Sequence, residues 1–284
     1  MTRVAYQGIA GAYSEEAIRQ YFGADAEAVP CKTFAEVFAA VERGEIDHGM
    51  LPVENSIAGS VNWSYELLME HDLRIYAEVI LRVRHLLLAT SGTSIDDVRV
   101  VRSHPQALAQ CTRYLARHGL LAEQTVDTAG AAHDLLANPE PGVAVIAGQS
   151  AADLTGLEVL DREIENSLSN YTRFFVLSLD EAPRAQRNKT SIVFTTPHRS
   201  GLLYECLGEF ASRHVSLCKI ESRPRANRPW QYIFYLDFEG HCQDPGCEAA
   251  MMGLLRRSSF VKMLGSYPAA MTPIDDSQGL REVQ

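Results

Sequence analysis

Residues 180–189 read DEAPRAQRNK, a polar run that contains Pro183 and carries no strand-like or helix-like apolar period. Such a segment offers no face to a core, so it reads as an interdomain linker, and the elements on its two sides differ in kind. Upstream, short apolar strands alternate with amphipathic helices, the α/β pattern. Downstream come a strand at 190–195, a helix at 201–214 with Leu203, Leu207 and Phe210 on one face, and strands at 217–220 and 232–238. A helix at 249–257 carrying Met251, Met252, Leu254 and Leu255 and a strand at 261–264 complete the order βαββαβ, the ferredoxin-like arrangement. The expected division is a first domain at 1–180, a linker at 181–189, a second domain at 190–268 and a polar tail at 269–284. A chain of 284 residues with 46% hydrophobic composition is long and apolar enough for both cores.

Within the first domain, Thr33 and Glu36 form a predicted capping box ahead of Phe34, Val37, Phe38 and Val41 at helical spacing, with Gly44 as the stop. Strands are predicted at 49–51, 98–101, 143–147 and 174–179. One helix is predicted between Arg102 and Gly119, with Ser103 or His104 as N-cap and Pro105 in its first turn.

The formal net charge of −10 disfavours a nucleic-acid partner, because phosphate binding needs a basic face. An anion would instead be held by local arginines, hydroxyls and helix N-termini. No apolar run approaches the ~18 residues of a membrane span. Val4-Ala5-Tyr6 reads as a first strand with no leader before it, and the expectation is a cytoplasmic protein without a membrane partner. The six cysteines are scattered, which suits reduced thiols. His241, Cys242 and Cys247 lack a second pair at zinc spacing, so no metal is expected.

Four polar segments fall where α/β folds place ligands: residues 8–14 (GIAGAYS), 52–56 (PVENS), 103–106 (SHPQ) and Thr172-Arg173. Gly8 and Gly11 lack dinucleotide spacing, and Ser14 serves equally as a helix cap or beside an anion at the helix start. Glu54, Asn55 and Ser56 form a turn or a binding loop. Ser103 fits a cap, a ligand contact or both, and Gln110 is expected about two turns along the same helix face. Thr172 and Arg173 offer a hydroxyl and a fixed cation at a strand start. No GxSxG elbow occurs, and His85, His104 and His118 lack a nucleophile context, so a hydrolase triad is not supported.

Taken in order, residues 11–14 (GAYS), 51–56 (LPVENS), 103–108 (SHPQAL), 172–174 (TRF) and 221–224 (ESRP) closely resemble the prephenate dehydratase family, over nearly the whole chain. The resemblance implies a two-lobed catalytic domain like a periplasmic binding protein, with the active site between the lobes, followed by a ferredoxin-like ACT domain. It implies decarboxylating dehydration of prephenate to phenylpyruvate in phenylalanine biosynthesis, without metal or organic cofactor, in a homodimer or homotetramer regulated by L-phenylalanine. Carried over residue by residue, it puts Thr172 on the leaving hydroxyl and Asn55, Ser103 and Gln110 on substrate polar groups. Arg173 is assigned to electrostatics or loop positioning, Phe174 to packing behind Thr172, and Ser14, Glu54 and Ser56 to the substrate loops. Glu54 would donate a proton only if burial raised its pKa. L-phenylalanine is expected at Gly201, Leu202 and Leu203 facing Glu221, Ser222, Arg223 and Pro224. Ala12, where many bacterial members carry Thr or Ser, looks plant-type and keeps arogenate as the alternative substrate; Ser216 stands where the family often has Asn. From a different class, a non-catalytic amino-acid-sensing protein shares the architecture but leaves Thr172-Arg173-Phe174 unexplained.

Overall fold

The computed structural model describes residues 1–225 and 228–271, so most of the expected tail lies outside the described residues. The chain forms two compact units, Met1–Ser64 with Val79–Phe174, and Tyr65–Glu78 with the chain from Phe175 on. The first unit holds two α/β lobes. In the first lobe, β1 (Arg3–Gln7) pairs in parallel with β2 (Glu27–Cys31) and β3 (His48–Asn55). Helices α1 (Tyr13–Phe22) and α2 (Phe34–Glu42) connect them. The sheet order is β2-β1-β3-β11-β5, with β4 (Gly59–Ser60) on β3; β5 is Arg74–Arg82 and β11 is Tyr171–Ser178. Thr33 caps α2 by accepting from Glu36 N, and the Glu36 carboxylate accepts from Lys32 N one residue upstream of the expected partner.

After β5 the chain enters the second lobe, a sheet of order β10-β6-β9-β7-β8 made from β6 (Leu86–Ala89), β7 (Val100–Ser103), β8 (Leu121–Gln124), β9 (Val143–Ala147) and β10 (Glu158–Arg162). The chain returns through β11, so two crossings join the two lobes. Every residue of β9 is buried, because helices cover both faces of its sheet. Leu108 and Tyr114 pack on one face of it, while Ala129 and Leu135 of α6 (Thr128–Ala137) and Ala151 of α7 (Gln149–Thr155) pack on the other.

The single helix predicted between residues 102 and 119 is two, α4 (Pro105–Gln110) and α5 (Thr112–His118), broken at Cys111. Asn166 causes the break. Its N–H donates to Gln110 O, its Nδ2 donates to Ala109 O and Thr112 Oγ1, and its Oδ1 accepts from Arg113 N. A side chain inserted into the helical ladder takes the bonds that would continue it. Ser103 consequently belongs to β7 and shares no helix face with Gln110.

In the second unit, β12 (Asn188–Thr195), α8 (Leu202–Ala211), β13 (Leu217–Arg225), β14 (Arg228–Glu239), α9 (Pro245–Leu255) and β15 (Phe260–Pro268) realise the βαββαβ order. Their antiparallel sheet runs β13-β14-β12-β15. One face packs on α8 and α9 through Phe194, Leu236, Phe238, Phe210 and Leu254. The buried stripe of α8 is Leu202, Cys206 and Phe210, with Leu203 and Leu207 at its margin, and Met252 and Leu255 of α9 are exposed. The opposite sheet face meets residues 65–78: Tyr235 Oη donates to Tyr65 O, Lys262 Nζ donates to Met69 O, and Lys189 pairs with Glu78. For that reason residues 65–78 and 175–178 group with the C-terminal unit, and the division differs from the expected one at residue 180.

Candidate active site

A cavity of about 350 Å³ opens in the first unit, lined among others by Ala12, Tyr13, Ser14, Asn55, His85, Gln106, Gln110, Asp127, Thr172 and Phe174. Its wall is built from helix starts. Tyr13 and Ser14 begin α1, Gln106 lies in the first turn of α4, and Asp127 and Thr128 begin α6. First-turn N–H groups have no intrahelical partner, so three helix starts point donors toward the cavity, whose described lining contains no Lys or Arg.

The glycine loop is held in place by Glu15. Its carboxylate accepts from Gly11 N at 2.7 Å and from Arg19 Nη2 at 2.6 Å. Gly11 sits at φ 90°, where a Cβ would come within 2.9 Å of Ala151 Cα. Glycine is therefore required by close approach of the two lobes at this point, not by a nucleotide.

Strand alternation sorts the Thr-Arg-Phe segment. Thr172 and Phe174 line the cavity, whereas Arg173 is absent from its wall and lies 3.9 Å from Glu54. On β3 the same alternation turns Asn55 toward the cavity, and Glu54, like Arg173, is not among its lining residues. Ser103 is fully buried and donates to Ile146 O at 2.7 Å, which ties β7 to β9 and leaves it no substrate role. Ser56 donates to Ser169 O and accepts from Tyr171 N, fastening the start of β11.

Asn55 lines the cavity and organises its neighbours. Its Oδ1 accepts from Ile57 N and Ala58 N, and its Nδ2, with two protons, donates to Asn170 Oδ1 at 2.8 Å and shares the second between Thr172 Oγ1 at 3.1 Å and Tyr171 O at 3.2 Å. Thr172 Oγ1 thus receives one hydrogen bond and keeps its own proton for the cavity. Gln110 Oε1 accepts from Asn170 Nδ2 and also bonds His85 Nε2, and Gln110 Nε2 has no partner among the described residues. Asn55→Asp would set carboxylate oxygens against Thr172 Oγ1 and Asn170 Oδ1. It is expected to lower kcat about ten- to hundredfold, the worth of a lost buried hydrogen bond and its orientation, with the circular-dichroism spectrum unchanged. Wild-type kcat in that variant removes the organising role.

Of the further site residues, Tyr13 and His104 lie in expected ligand segments and His104 is an expected N-cap, whereas His85 escapes a reading from local context. His85 bonds Tyr13 Oη at 2.8 Å, and burial pushes its pKa below the ordinary value despite the opposing hydrogen bond to Gln110. Burial likewise raises the Tyr13 phenol well above its usual range. His104 Nδ1 accepts from Gln106 N and caps α4. The available signal was Asn170, adjacent to the Thr-Arg-Phe segment and fully buried.

The residues expected to meet L-phenylalanine are not one cluster. Glu221-Ser222-Arg223-Pro224 is part of β13 and does not follow it. Glu221 pairs across the sheet with Tyr235, and Arg223 stacks 5.0 Å from the centre of the Tyr65 ring while bonding Glu221 at 2.6 Å. Both face away from α8. Ser222 pairs across with Phe234, which packs against the α8 and α9 core, so Ser222 and Pro224 alone share the helix face. Gly201 at φ 80° starts α8 with no side-chain cap.

The sequence model of the prephenate dehydratase family matches residues 4–182. Arogenate dehydratase/prephenate dehydratase 2, chloroplastic, of Arabidopsis thaliana is 43% identical over 281 residues, covering 95% of this chain and 74% of that protein. The solved prephenate dehydratase of Arthrobacter aurescens in complex with L-Phe is 31% identical with a TM-score of 0.87, over 99% of this chain and 97% of that one. GqqA, described as a novel type of quorum quenching acylase, is 35% identical with a TM-score of 0.87, over 96% and 99%. A threonine hydroxyl oriented by an asparagine amide in a cavity walled by helix starts, a family match over most of the first unit and similarity along nearly the whole chain lead to one conclusion: the chain belongs to the prephenate dehydratase family and is a lyase of the prephenate/arogenate dehydratase type.

Proposed function

We propose that the chain converts prephenate to phenylpyruvate, and that its C-terminal unit is an ACT module through which L-phenylalanine regulates a homo-oligomer. The observation that carries the catalytic reading is the Thr172 hydroxyl, oriented by Asn55 and open to the cavity. In the reaction the bond from the ring to its carboxylate breaks and the electron pair enters the ring. The ring hydroxyl leaves, takes up one proton and departs as water beside carbon dioxide, while aromatisation supplies the driving force. Thr172 O–H donates to the departing oxygen, where charge develops, and the hydrogen bond it accepts from Asn55 strengthens that donation. The free Gln110 amide and the helix starts hold the dianion; Phe174 packs beside Thr172.

Arogenate is kept as the second reading by one side chain. Asp127 is the only carboxylate among the described residues of the cavity wall; its Oδ1 accepts from Gly130 N, and its other oxygen is an acceptor suited to an ammonium group. Asp127→Asn keeps the N-cap and is expected to leave kcat/KM for prephenate within about threefold, while lowering any arogenate turnover about tenfold. Side-by-side kinetics on both substrates test the assignment, and a larger wild-type kcat/KM for arogenate reverses it. The acylase named above suggests no further reading here, because the aliphatic cavity hydroxyls Ser14, Thr128 and Thr172 donate to no imidazole or carboxylate among the described residues, and the one hydroxyl on an imidazole is the Tyr13 phenol, which burial keeps protonated. The six free cysteines fit a reducing compartment, the cytoplasm in this reading.

For the effector, the start of α8 offers free N–H groups to a carboxylate, with Ser222 and Pro224 on the same sheet face. A second subunit would complete the pocket, since Glu221 and Arg223 are engaged elsewhere. Gly201→Val puts a side chain in the left-handed region at a cost of about 1–2 kcal/mol, and is expected to weaken phenylalanine binding about tenfold while sparing phenylpyruvate formation without effector. Calorimetry showing wild-type affinity would place the sensor elsewhere. Truncation near residue 180 is the wrong test, because it would strip residues 65–78 of the sheet that covers them.

A further inference from the structure

His85 lies in the crossing between β5 and β6, only 2% exposed, with both ring nitrogens bonded. Its proton position follows from a chain of amides that starts at the backbone. Ile57 N and Ala58 N donate to Asn55 Oδ1 at 3.1 and 2.9 Å, which turns Asn55 Nδ2 to Asn170 Oδ1 at 2.8 Å. Asn170 then presents Nδ2 to Gln110 Oε1 at 3.0 Å. That carbonyl oxygen can only accept, so His85 Nε2, 2.8 Å from it, carries a proton. At the other nitrogen, Nδ1 lies 2.8 Å from Tyr13 Oη, which is also 3.0 Å from Arg84 O. Burial opposes a charged ring, so Nδ1 keeps its lone pair and takes the single Tyr13 proton.

We infer that His85 is a positioning residue of the dehydration proposed above: as a neutral ring with Nε2 protonated, it holds Gln110 with Oε1 turned inward and Nε2 turned to the cavity, where that amide donates to a substrate oxygen. The ring itself touches no reacting atom. Two donor chains then meet at Gln110 Oε1, one from Tyr13 through His85 and one from Asn55 through Asn170, and Asn55 also donates to Thr172, so ground-state binding and the catalytic hydroxyl are set by the same backbone anchor at Ile57 and Ala58.

The ring state is read directly by nitrogen-15 imidazole spectra of the full-length wild type near neutral pH, with His85 assigned by comparison with His85→Gln. A protonated Nε2 and bare Nδ1 are expected; a proton on Nδ1, alone or together with Nε2, overturns the inference whatever the activity. In kinetics with prephenate, His85→Leu leaves the Gln110 carboxamide held by Asn170 alone, and KM should rise about tenfold with kcat within about threefold, the mark of weakened ground-state binding. His85→Gln restores a donor at the Nε2 position and should return KM to within about threefold of wild type, whereas His85→Asn, whose amide reaches only the Nδ1 position, should not. Unchanged KM in His85→Leu, or no difference between the Gln and Asn variants, also overturns it. Should His85→Leu fail to fold, the spectra and the Gln/Asn pair still decide. Should the wild type turn over neither substrate, the proposed function falls and the spectra alone judge the ring.

Discussion

Thr172→Ala is expected to lower kcat for prephenate about 10²–10³-fold and to change KM by less than about threefold, because a bond to the leaving oxygen strengthens only as that oxygen becomes hydroxide. In the ground state the same contact is an ordinary hydrogen bond to an alcohol, readily replaced by water. Two details make Thr172 the donor. Its oxygen already accepts from Asn55 Nδ2 at 3.1 Å, and strand alternation turns it into the cavity while Arg173 is turned out. Thr172→Ser keeps the hydroxyl and is expected within about tenfold of wild type, since the χ1 restriction of a β-branched side chain is lost but the donor remains. Single-turnover kinetics separate the chemical step from product release. If Thr172→Ala turns over at the wild-type rate with an intact fold, the leaving-group assignment is wrong.

The second large effect concerns stability. Glu78 has a fully buried side chain and pairs with Lys189 at 2.8 Å, and its Oε1 also accepts from Ala270 N at 2.9 Å. Within the C-terminal unit this carboxylate neutralises a lysine that is itself only 15% exposed. Glu78→Ala leaves that ammonium buried without this counter-charge and should cost about 3–5 kcal/mol, the usual result of removing one member of a buried pair. Replacing both, as Glu78→Leu with Lys189→Met, is expected to recover most of the loss, because burying an ion pair is itself costly. Urea denaturation of the two variants gives both numbers. A loss under about 1 kcal/mol for Glu78→Ala would show that the pair is solvated like a surface one.

Much of this protein is legible along the chain because the signals are local. The βαββαβ order beyond the polar run follows from apolar period and turn residues, and β9 was readable as VAVIA because a strand covered on both faces has no polar position. The α2 boundaries were set by Thr33, Glu36 and Gly44, residues that act on their immediate neighbours. The motifs around Thr172 and Asn55 marked the right loops for the same reason: runs of polar groups beside apolar strands stand out without any tertiary knowledge.

What the sequence could not decide were partners far apart in number. Asn166 breaks the helix at Cys111 from 55 residues away, which no local propensity reports. Ser103 and Arg173 have side chains suited to an anion, yet Ser103 is buried and neither Arg173 nor its neighbour Glu54 is among the residues lining the cavity. Residues 65–78 joined the C-terminal unit because a buried pair, Glu78 with Lys189, and the Tyr235 bond to Tyr65 hold them there. Asn170, Gln110 and His85 acquired their roles only when the fold brought 55, 85, 110 and 170 within hydrogen-bond reach. A single sequence thus determined the elements, the family resemblance and the loops that carry the chemistry. Tertiary structure alone decided which side chains face the cavity, since facing depends on strand register and on hydrogen bonds that close over a hundred residues of chain.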